Sequence, residues 1–262
     1  MPEKTKYKIG LVLSGGGARG FAHIGAIQAL NEAGIYPDII SGVSIGAIIG
    51  SLYADGNSPG DMMKMFNKIN LNSYFKFIMP NKGFLKMTGL ADIISKNLHS
   101  KTFEELKIPL FVAATDLNNG KCDFFNSGEL YNTVIASSTI PALFQPIVIN
   151  GKTYVDGGVL NNFPVEPLEK ICDILIGISI NPTCFQEDFQ SLYSVIERSF
   201  QLSFASHLNK SKKKCNIFIE PQELEKYRMF DIKKSKEIYN LGYKEAKKVL
   251  AENKEEVSNM LK

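Results

Sequence analysis

Tyr7-Lys8-Ile9-Gly10-Leu11-Val12-Leu13-Ser14-Gly15-Gly16-Gly17-Ala18-Arg19-Gly20 decides the fold class. Tyr7 to Leu13 is a nearly continuous apolar run ending in glycines, the pattern of a strand covered on both faces in a parallel sheet. A helix follows at once, with Phe21, Ile24, Ile27, Gln28 and Leu30 carrying one face of it up to a stop at Gly34. Pro37 to Val43 reads as a second strand, Ile45 to Asp55 as a second helix closed by Gly56, and Ser58-Pro59 as the capped start of a third. Strand, helix and strand alternating in this way define the α/β class.

Further along, Asn119-Gly120 follows Leu110 to Leu117, and Asn150-Gly151 separates Ile147–Ile149 from Thr153–Val155. Both predict hairpins with type I′ turns, whose two central residues need positive φ. Ile174 to Ile180 predicts another buried strand, and Leu192, Ile196, Phe200, Phe204 and Leu208 recur at helical spacing as one apolar row. From Lys233 to Lys262 acids and bases interleave, as expected of a solvated terminal helix. The expected whole is a single domain over residues 1–262, with a mainly parallel central sheet, antiparallel hairpins, helices on both faces and C-terminal helices from about residue 188.

The 262 residues are 44% hydrophobic, enough to bury a sizeable core, which excludes disorder as the main state. A net charge of +3 lacks the concentrated basic face of a nucleic-acid binder, so no nucleic-acid partner is expected. Cys122, Cys172, Cys184 and Cys215 form no C-x-x-C pair and read as small core hydrophobes. The polar start Met1-Pro2-Glu3-Lys4-Thr5-Lys6 leads directly into the first strand, with no signal-peptide core. The longest apolar region, Ile39 to Ala54, is interrupted by Ser and Gly, so no membrane span is expected.

Chemistry concentrates at three places. Gly15-Gly16-Gly17-Ala18-Arg19-Gly20 lies between a strand and a helix N-terminus, where backbone N–H groups and the helix dipole hold an anion. Gly15, Gly17 and Gly20 also satisfy G-x-G-x-x-G, but a dinucleotide site needs an acid at the end of the second strand, and Asp38 stands at its beginning. A P-loop would need Gly-Lys-Ser/Thr, which is missing.

Gly42-Val43-Ser44-Ile45-Gly46, at the end of the second strand, is a complete G-x-S-x-G. In such a nucleophile elbow the serine occupies a tight strand-to-helix turn, and the flanking glycines let backbones approach without Cβ clashes. The competing reading is an ordinary Gly/Ser turn. An anion loop after the first strand and a hydroxyl after the second would lie side by side at the carboxyl edge of a parallel sheet, the expected place for a site.

No histidine is well placed to serve as base. His23 lies one turn into the first helix, His99 at a polar helix end and His207 on a polar stretch of an amphipathic helix. A hydrolase triad of Ser44, Asp116 or Asp156, and His207 is conceivable by order, but no His follows a late strand in a short loop. Asp156-Gly157-Gly158 follows apolar Tyr154-Val155 where a hairpin strand ends, so its carboxylate is expected to leave a buried strand for a crevice; the alternative is a plain Asp-Gly turn.

The glycine loop with Arg19, the elbow at Ser44 and Asp156-Gly157-Gly158 together resemble the patatin-like phospholipases in their bacterial single-domain form. The likeness runs from about Lys8 to Pro167. It takes in Ala113-Ala114-Thr115-Asp116-Leu117, Ala136-Ser137-Ser138-Thr139-Ile140-Pro141 and Asp156 through Pro164. The resemblance implies a three-layer α/β sandwich and a Ser-Asp dyad: Ser44 as nucleophile, Asp156 as base, and the Gly15, Gly16 and Gly17 amides as oxyanion hole. Arg19 then supports the loop, and Gly42, Gly46 and Gly157 permit the close approaches. It implies acyl transfer from lipid or lysolipid esters; no cofactor is expected, and no metal either, since Asp116-Leu117-Asn118-Asn119-Gly120 misses the spacing of a Ca²⁺ loop. Rival outcomes are a small-ester or thioester hydrolase with the same dyad, or a regulatory protein of low turnover.

Burial is expected to raise the pKa of Asp156. Met62-Met63-Lys64-Met65-Phe66 and Tyr74-Phe75-Lys76-Phe77-Ile78-Met79 read either as core or as a lipid entrance. A cytoplasmic location follows as an expectation, with transient contact at the inner membrane surface. Oligomeric state has no signature in the sequence.

Overall fold

The computed structural model describes residues 6–67, 88–141, 143–182, 195, 198, 199, 202, 208–229 and 231–261. Its centre is an eight-stranded sheet. Strands β1 (Tyr7–Leu13), β2 (Ile39–Val43), β3 (Leu110–Asp116), β7 (Cys172–Ile178) and β8 (Ile217–Ile219) run parallel to their neighbours in the order β3-β2-β1-β7-β8. Strands β4 (Lys121–Phe125), β5 (Ile147–Ile149) and β6 (Lys152–Asp156) add the antiparallel pairings at the β3 end. The helices are α1 (Phe21–Glu32), α2 (Ile45–Ala54), α3 (Pro59–Asn67), α4 (Thr88–Asn97), α5 (Tyr131–Ser137), α6 (Ser235–Glu252) and α7 (Lys254–Leu261).

Alternate residues of the strands feed two cores, as the two-residue period of a strand requires. Ile9, Leu11 and Leu13 enter the larger cluster with α1, α2 and α6, whereas Val12 faces a smaller one with Phe163, Val165, Leu168 and Leu175. Both faces of β1 are therefore covered, which is why its sequence is apolar without alternation. On the second face the described cover is the turn-rich segment 161–171 together with Leu208; Leu192, Ile196, Phe200 and Phe204 lie outside the described residues.

Several boundaries move for physical reasons. The second strand begins at Ile39 rather than Pro37, and Asp38 is spent at its start: Oδ2 accepts the N–H groups of Lys8 and Ile9 at 3.1 and 2.8 Å. Asp38 thus ties β1 to β2 and is not available to a ribose. Asn150 and Gly151 have φ of 49° and 79°, the expected type I′ pair, but at the other hairpin only Gly120 is positive, at 63°. There Asp116 Oδ1 accepts the N–H groups of Asn118 and Asn119, and Gly120 N–H donates to the Asp116 carbonyl, winding a longer turn than type I′. Ser58 caps α3 as expected, its Oγ accepting Asp61 N–H at 3.1 Å.

The C-terminal segment departs most from expectation. It forms two helices instead of one solvated helix, and α6 buries Ile238, Gly242, Ala246, Val249 and Leu250. Its partner is α1, which is consequently buried almost all round rather than on one face. Glycines set the approach: a Cβ on Gly25 would run into the Tyr239 carbonyl oxygen, and one on Gly242 into that of Ala22.

Candidate active site

β3 acts as the ruler of the site. On one flank it pairs with β4 over Val112–Asp116; on the other it pairs first with β2 and then with β6. The parallel β2 ends with Val43 opposite Ala113, and the antiparallel β6 ends with Asp156 opposite Ala114. Two strands running head to head along one flank thus stop on adjacent rungs, and the residues at their ends, Ser44 and Asp156, meet. Ser44 Oγ donates a 2.6 Å hydrogen bond to Asp156 Oδ2.

Ser44 stands at φ 54°, ψ −126°, a conformation L-residues rarely adopt and one that is kept only where the surroundings enforce it. The enforcement is visible. A Cβ on Gly42 would lie 2.6 Å from the Gly46 carbonyl oxygen, one on Gly46 would meet the Leu13 and Ser14 carbonyls, and one on Gly157 would meet the Ala113 carbonyl and Val43. All three expected glycines therefore sit at close backbone approaches. Ser137 completes the turn: its Oγ accepts Ser44 N–H at 2.9 Å and donates to the Ala113 carbonyl at 2.6 Å.

Asp156 is held at both oxygens, Oδ1 accepting Gly158 N–H at 2.8 Å while Oδ2 takes the serine hydroxyl. Only 2% of it is exposed, and this burial pushes its carboxyl up to about 6, against the opposing hydrogen bonds from Ser44 and Gly158. The expected rise is present.

The glycine loop borders the pair, since a Cβ on Gly15 would lie 3.2 Å from Ser44 Cβ and against Asn162 Oδ1. Most of its polar groups are taken. Gly15 N–H points to the Asn162 carbonyl at 3.3 Å and Ala18 N–H to the Met229 carbonyl at 2.7 Å. His23 Nε2 holds the Ser14 carbonyl at 2.8 Å, and Asn181 Nδ2 donates to the Gly15 carbonyl at 2.6 Å. The N–H groups of Gly16 and Gly17 have no acceptor among the described residues. Arg19 is buried beneath the loop and donates through Nε to the Tyr227 carbonyl at 2.9 Å and through a terminal nitrogen to Asn181 Oδ1 at 3.4 Å.

The remaining candidates fall elsewhere. Burial pushes His23 down to about 4, so it is neutral, and its Nε2–H serves the loop backbone. His99 Nδ1 lies 3.1 Å from Asp55, which also accepts His99 and Ser100 N–H groups at the end of α2. His207 lies outside the described residues. Asp116, the other acid considered, is engaged by Asn118, Asn119 and Lys152; the Asn119 side-chain bond first, with Lys152 and the amides, holds it down near 2. Met62 and Phe66 are core residues, so that half of the suggested lipid entrance is packing; Phe75 and Phe77 lie outside the described residues. Cys122, Cys172 and Cys215 are pushed up to about 12 by burial, consistent with inert thiols, and Cys184 lies outside the described residues. Among the described residues no helix is long and apolar enough to cross a membrane.

The sequence profile described as patatin-like phospholipase matches residues 11–169. The chain belongs to the patatin-like phospholipase family. Relatives include lysophospholipase nte1 of Emericella nidulans, 27% identical over 95% of this chain but only 18% of its own length. The NTE family protein Mb1092c of Mycobacterium bovis is 33% identical over 66% of this chain and 49% of its own. The chain thus spans less than half the length of these curated relatives. Among solved structures, VipD of Legionella pneumophila superposes with a TM-score of 0.55 at 17% identity, covering 95% of this chain and 67% of that one. Human GIVD cytosolic phospholipase A2 gives 0.51 at 12%, covering 98% and 60%. These two likenesses establish the shared fold.

Sequence reasoning missed Ser137, Asn181 and the backbone supports at Tyr227 and Met229. Ser137 lay within a stretch already noted for its likeness to the family. Asn181 follows β7, whose end lies at the same carboxyl edge as the glycine loop, a signal available once the strand order was assumed.

Proposed function

We propose that this patatin-like chain is a serine acyl hydrolase that cleaves ester bonds of phospholipids or lysophospholipids through a Ser44–Asp156 dyad. The observation that carries the proposal is the 2.6 Å Ser44 Oγ to Asp156 Oδ2 bond at a positive-φ elbow. The lipid substrate class rests on the family and on the lysophospholipase relatives.

In the first step Asp156 Oδ2 takes the hydroxyl proton as Ser44 Oγ bonds to the ester carbonyl carbon. The carbonyl π pair moves onto oxygen, and the Gly16 and Gly17 N–H groups receive that oxyanion; the Gly15 N–H is turned toward Asn162 and contributes less. Collapse re-forms the carbonyl and breaks the bond to the leaving alcohol, which takes the proton from Asp156. Water then attacks the acyl-serine, giving its proton to Asp156, and the second collapse frees the fatty acid and returns the proton to Ser44 Oγ. A carboxyl pushed to about 6 is a better base than an exposed one, and at neutral pH it is still mostly ionised.

The test is hydrolysis of p-nitrophenyl esters of rising chain length and of a lysophospholipid by wild type, Ser44→Ala and Asp156→Asn, with and without EDTA. Both variants should lose at least about 10³-fold in kcat, with EDTA harmless. A long-chain optimum supports the lipid class and a short-chain optimum the small-ester alternative. Undiminished turnover in Ser44→Ala would remove the proposal.

A further inference from the structure

Asn181 lies past the end of β7, beyond residues 11–169 matched by the family profile. It is buried, 8% exposed, and both ends of its amide are used. Nδ2 donates to the Gly15 carbonyl at 2.6 Å, the short bond of the loop, and Oδ1 accepts from Arg19 at 3.4 Å. The Ser14 hydroxyl reaches the same Gly15 carbonyl at 3.1 Å and accepts Ile180 N–H at 3.0 Å, so the residue just before Asn181 is tied to the loop as well.

A trans peptide is planar, with its C=O and N–H pointing in opposite directions. No peptide among the described residues is cis. Holding the Gly15 carbonyl from one side therefore aims the Gly16 N–H to the other. Gly16 is at φ 148° and Gly17 at φ 61°, conformations with little steric restraint of their own, so the direction of that N–H depends on what holds the neighbouring carbonyl. The space is close: a Cβ on Gly16 would stand 3.0 Å from Asn181 Oδ1. Polarisation acts in the same sense, because a donor on the carbonyl makes the amide hydrogen across the same peptide a stronger donor.

We infer that Asn181 is a positioning residue for the oxyanion hole, fixing the Gly15–Gly16 peptide so that the Gly16 N–H faces the developing charge. Arg19 acts one step back by orienting the Asn181 amide. The inference rests on the acyl-transfer reading above and adds a residue from the segment outside the family match.

The experiment compares wild type, Asn181→Ala and Asn181→Asp in the full chain at pH 8, with kcat and KM on a p-nitrophenyl ester, the pH–rate profile, the rate of Ser44 inactivation by a fluorophosphonate, and melting temperature. Asn181→Ala should lower kcat by about 10- to 100-fold, change KM less than about threefold, slow inactivation in parallel and leave the apparent pKa of the rate unmoved, since Asp156 is untouched. Asn181→Asp keeps the size and strengthens the bond to Arg19 but sets a carboxylate against the Gly15 carbonyl, so its kcat should fall further than that of the alanine variant while its melting temperature is retained. If Asn181→Asp is the milder change, or either variant keeps wild-type kcat while folded, Asn181 only packs against Arg19 and the inference is overturned. Absence of both turnover and Ser44 labelling in wild type would instead strike the acyl-transfer reading, a separately recognisable outcome.

Discussion

Asp156 combines burial with a hydroxyl partner, and if it is the base of the proposed dyad its pKa governs the rate. Because only the ionised carboxylate accepts the Ser44 proton, kcat/KM should rise about tenfold per pH unit below about 6 and level off above it. A profile flat down to pH 4 would count against Asp156 as the base. Ser137 offers a second test at this scale. Its hydroxyl is the only acceptor given to Ser44 N–H by the described residues, so Ser137→Ala leaves that buried N–H without a partner. The expected cost is about 1–3 kcal/mol in urea unfolding, together with a fall in kcat as the elbow loosens. Full activity in Ser137→Ala would show that the positive-φ turn holds without it.

At the level of elements, β3 brings Ser44 and Asp156 together and the α1–α6 crossing supports the glycine loop. The loop runs directly into α1, whose His23 holds the Ser14 carbonyl, so pressure on α1 is transmitted to the site. Gly242→Ala places a methyl group against the Ala22 carbonyl. The two helices must separate, at a cost of roughly 1–3 kcal/mol. Thermal unfolding should register that loss, and kcat should fall more than KM rises. An unchanged melting temperature would mean that the crossing relaxes freely.

Across the whole molecule, two buried groups titrate with opposite effects on stability. Asp156 is raised above its unfolded value near 3.8, so the folded chain holds the extra proton between about 4 and 6 and stability falls as pH rises through that window. His23 is lowered from 6.5 to about 4, so the unfolded chain holds the extra proton there and stability rises with pH. Each effect is worth roughly 3 kcal/mol, and they largely cancel. Asp116, held near 2, acts below this range. The wild-type melting temperature should therefore be nearly level from pH 4.5 to 6, whereas Asp156→Asn should show a rising slope and melt several degrees above wild type at pH 8 while inactive. Equal melting temperatures at pH 8 would contradict the buried charge.

Local sequence determined much of this protein. The apolar run Tyr7–Leu13, the elbow around Ser44, the Asn150-Gly151 turn and the cap at Ser58 were legible because each depends on near neighbours: strand burial, a glycine-flanked turn, positive φ, a first-turn donor. Ser44 stood out as an elbow for the same reason, whereas Asp156 was singled out as a base only by the resemblance to the family. Tertiary structure alone decided that β2 and β6 end on adjacent rungs of β3, that α6 buries one side of α1, and that Asn162, Asn181, Tyr227 and Met229 hold a loop near the other end of the chain. The loop contacts join residues 147 (Gly15 to Asn162) to 211 (Ala18 to Met229) positions apart and are satisfied by backbone carbonyls and common amides that leave no pattern in the sequence. The register of the sheet and the return of the C-terminal segment over α1 and the loop bring them within reach.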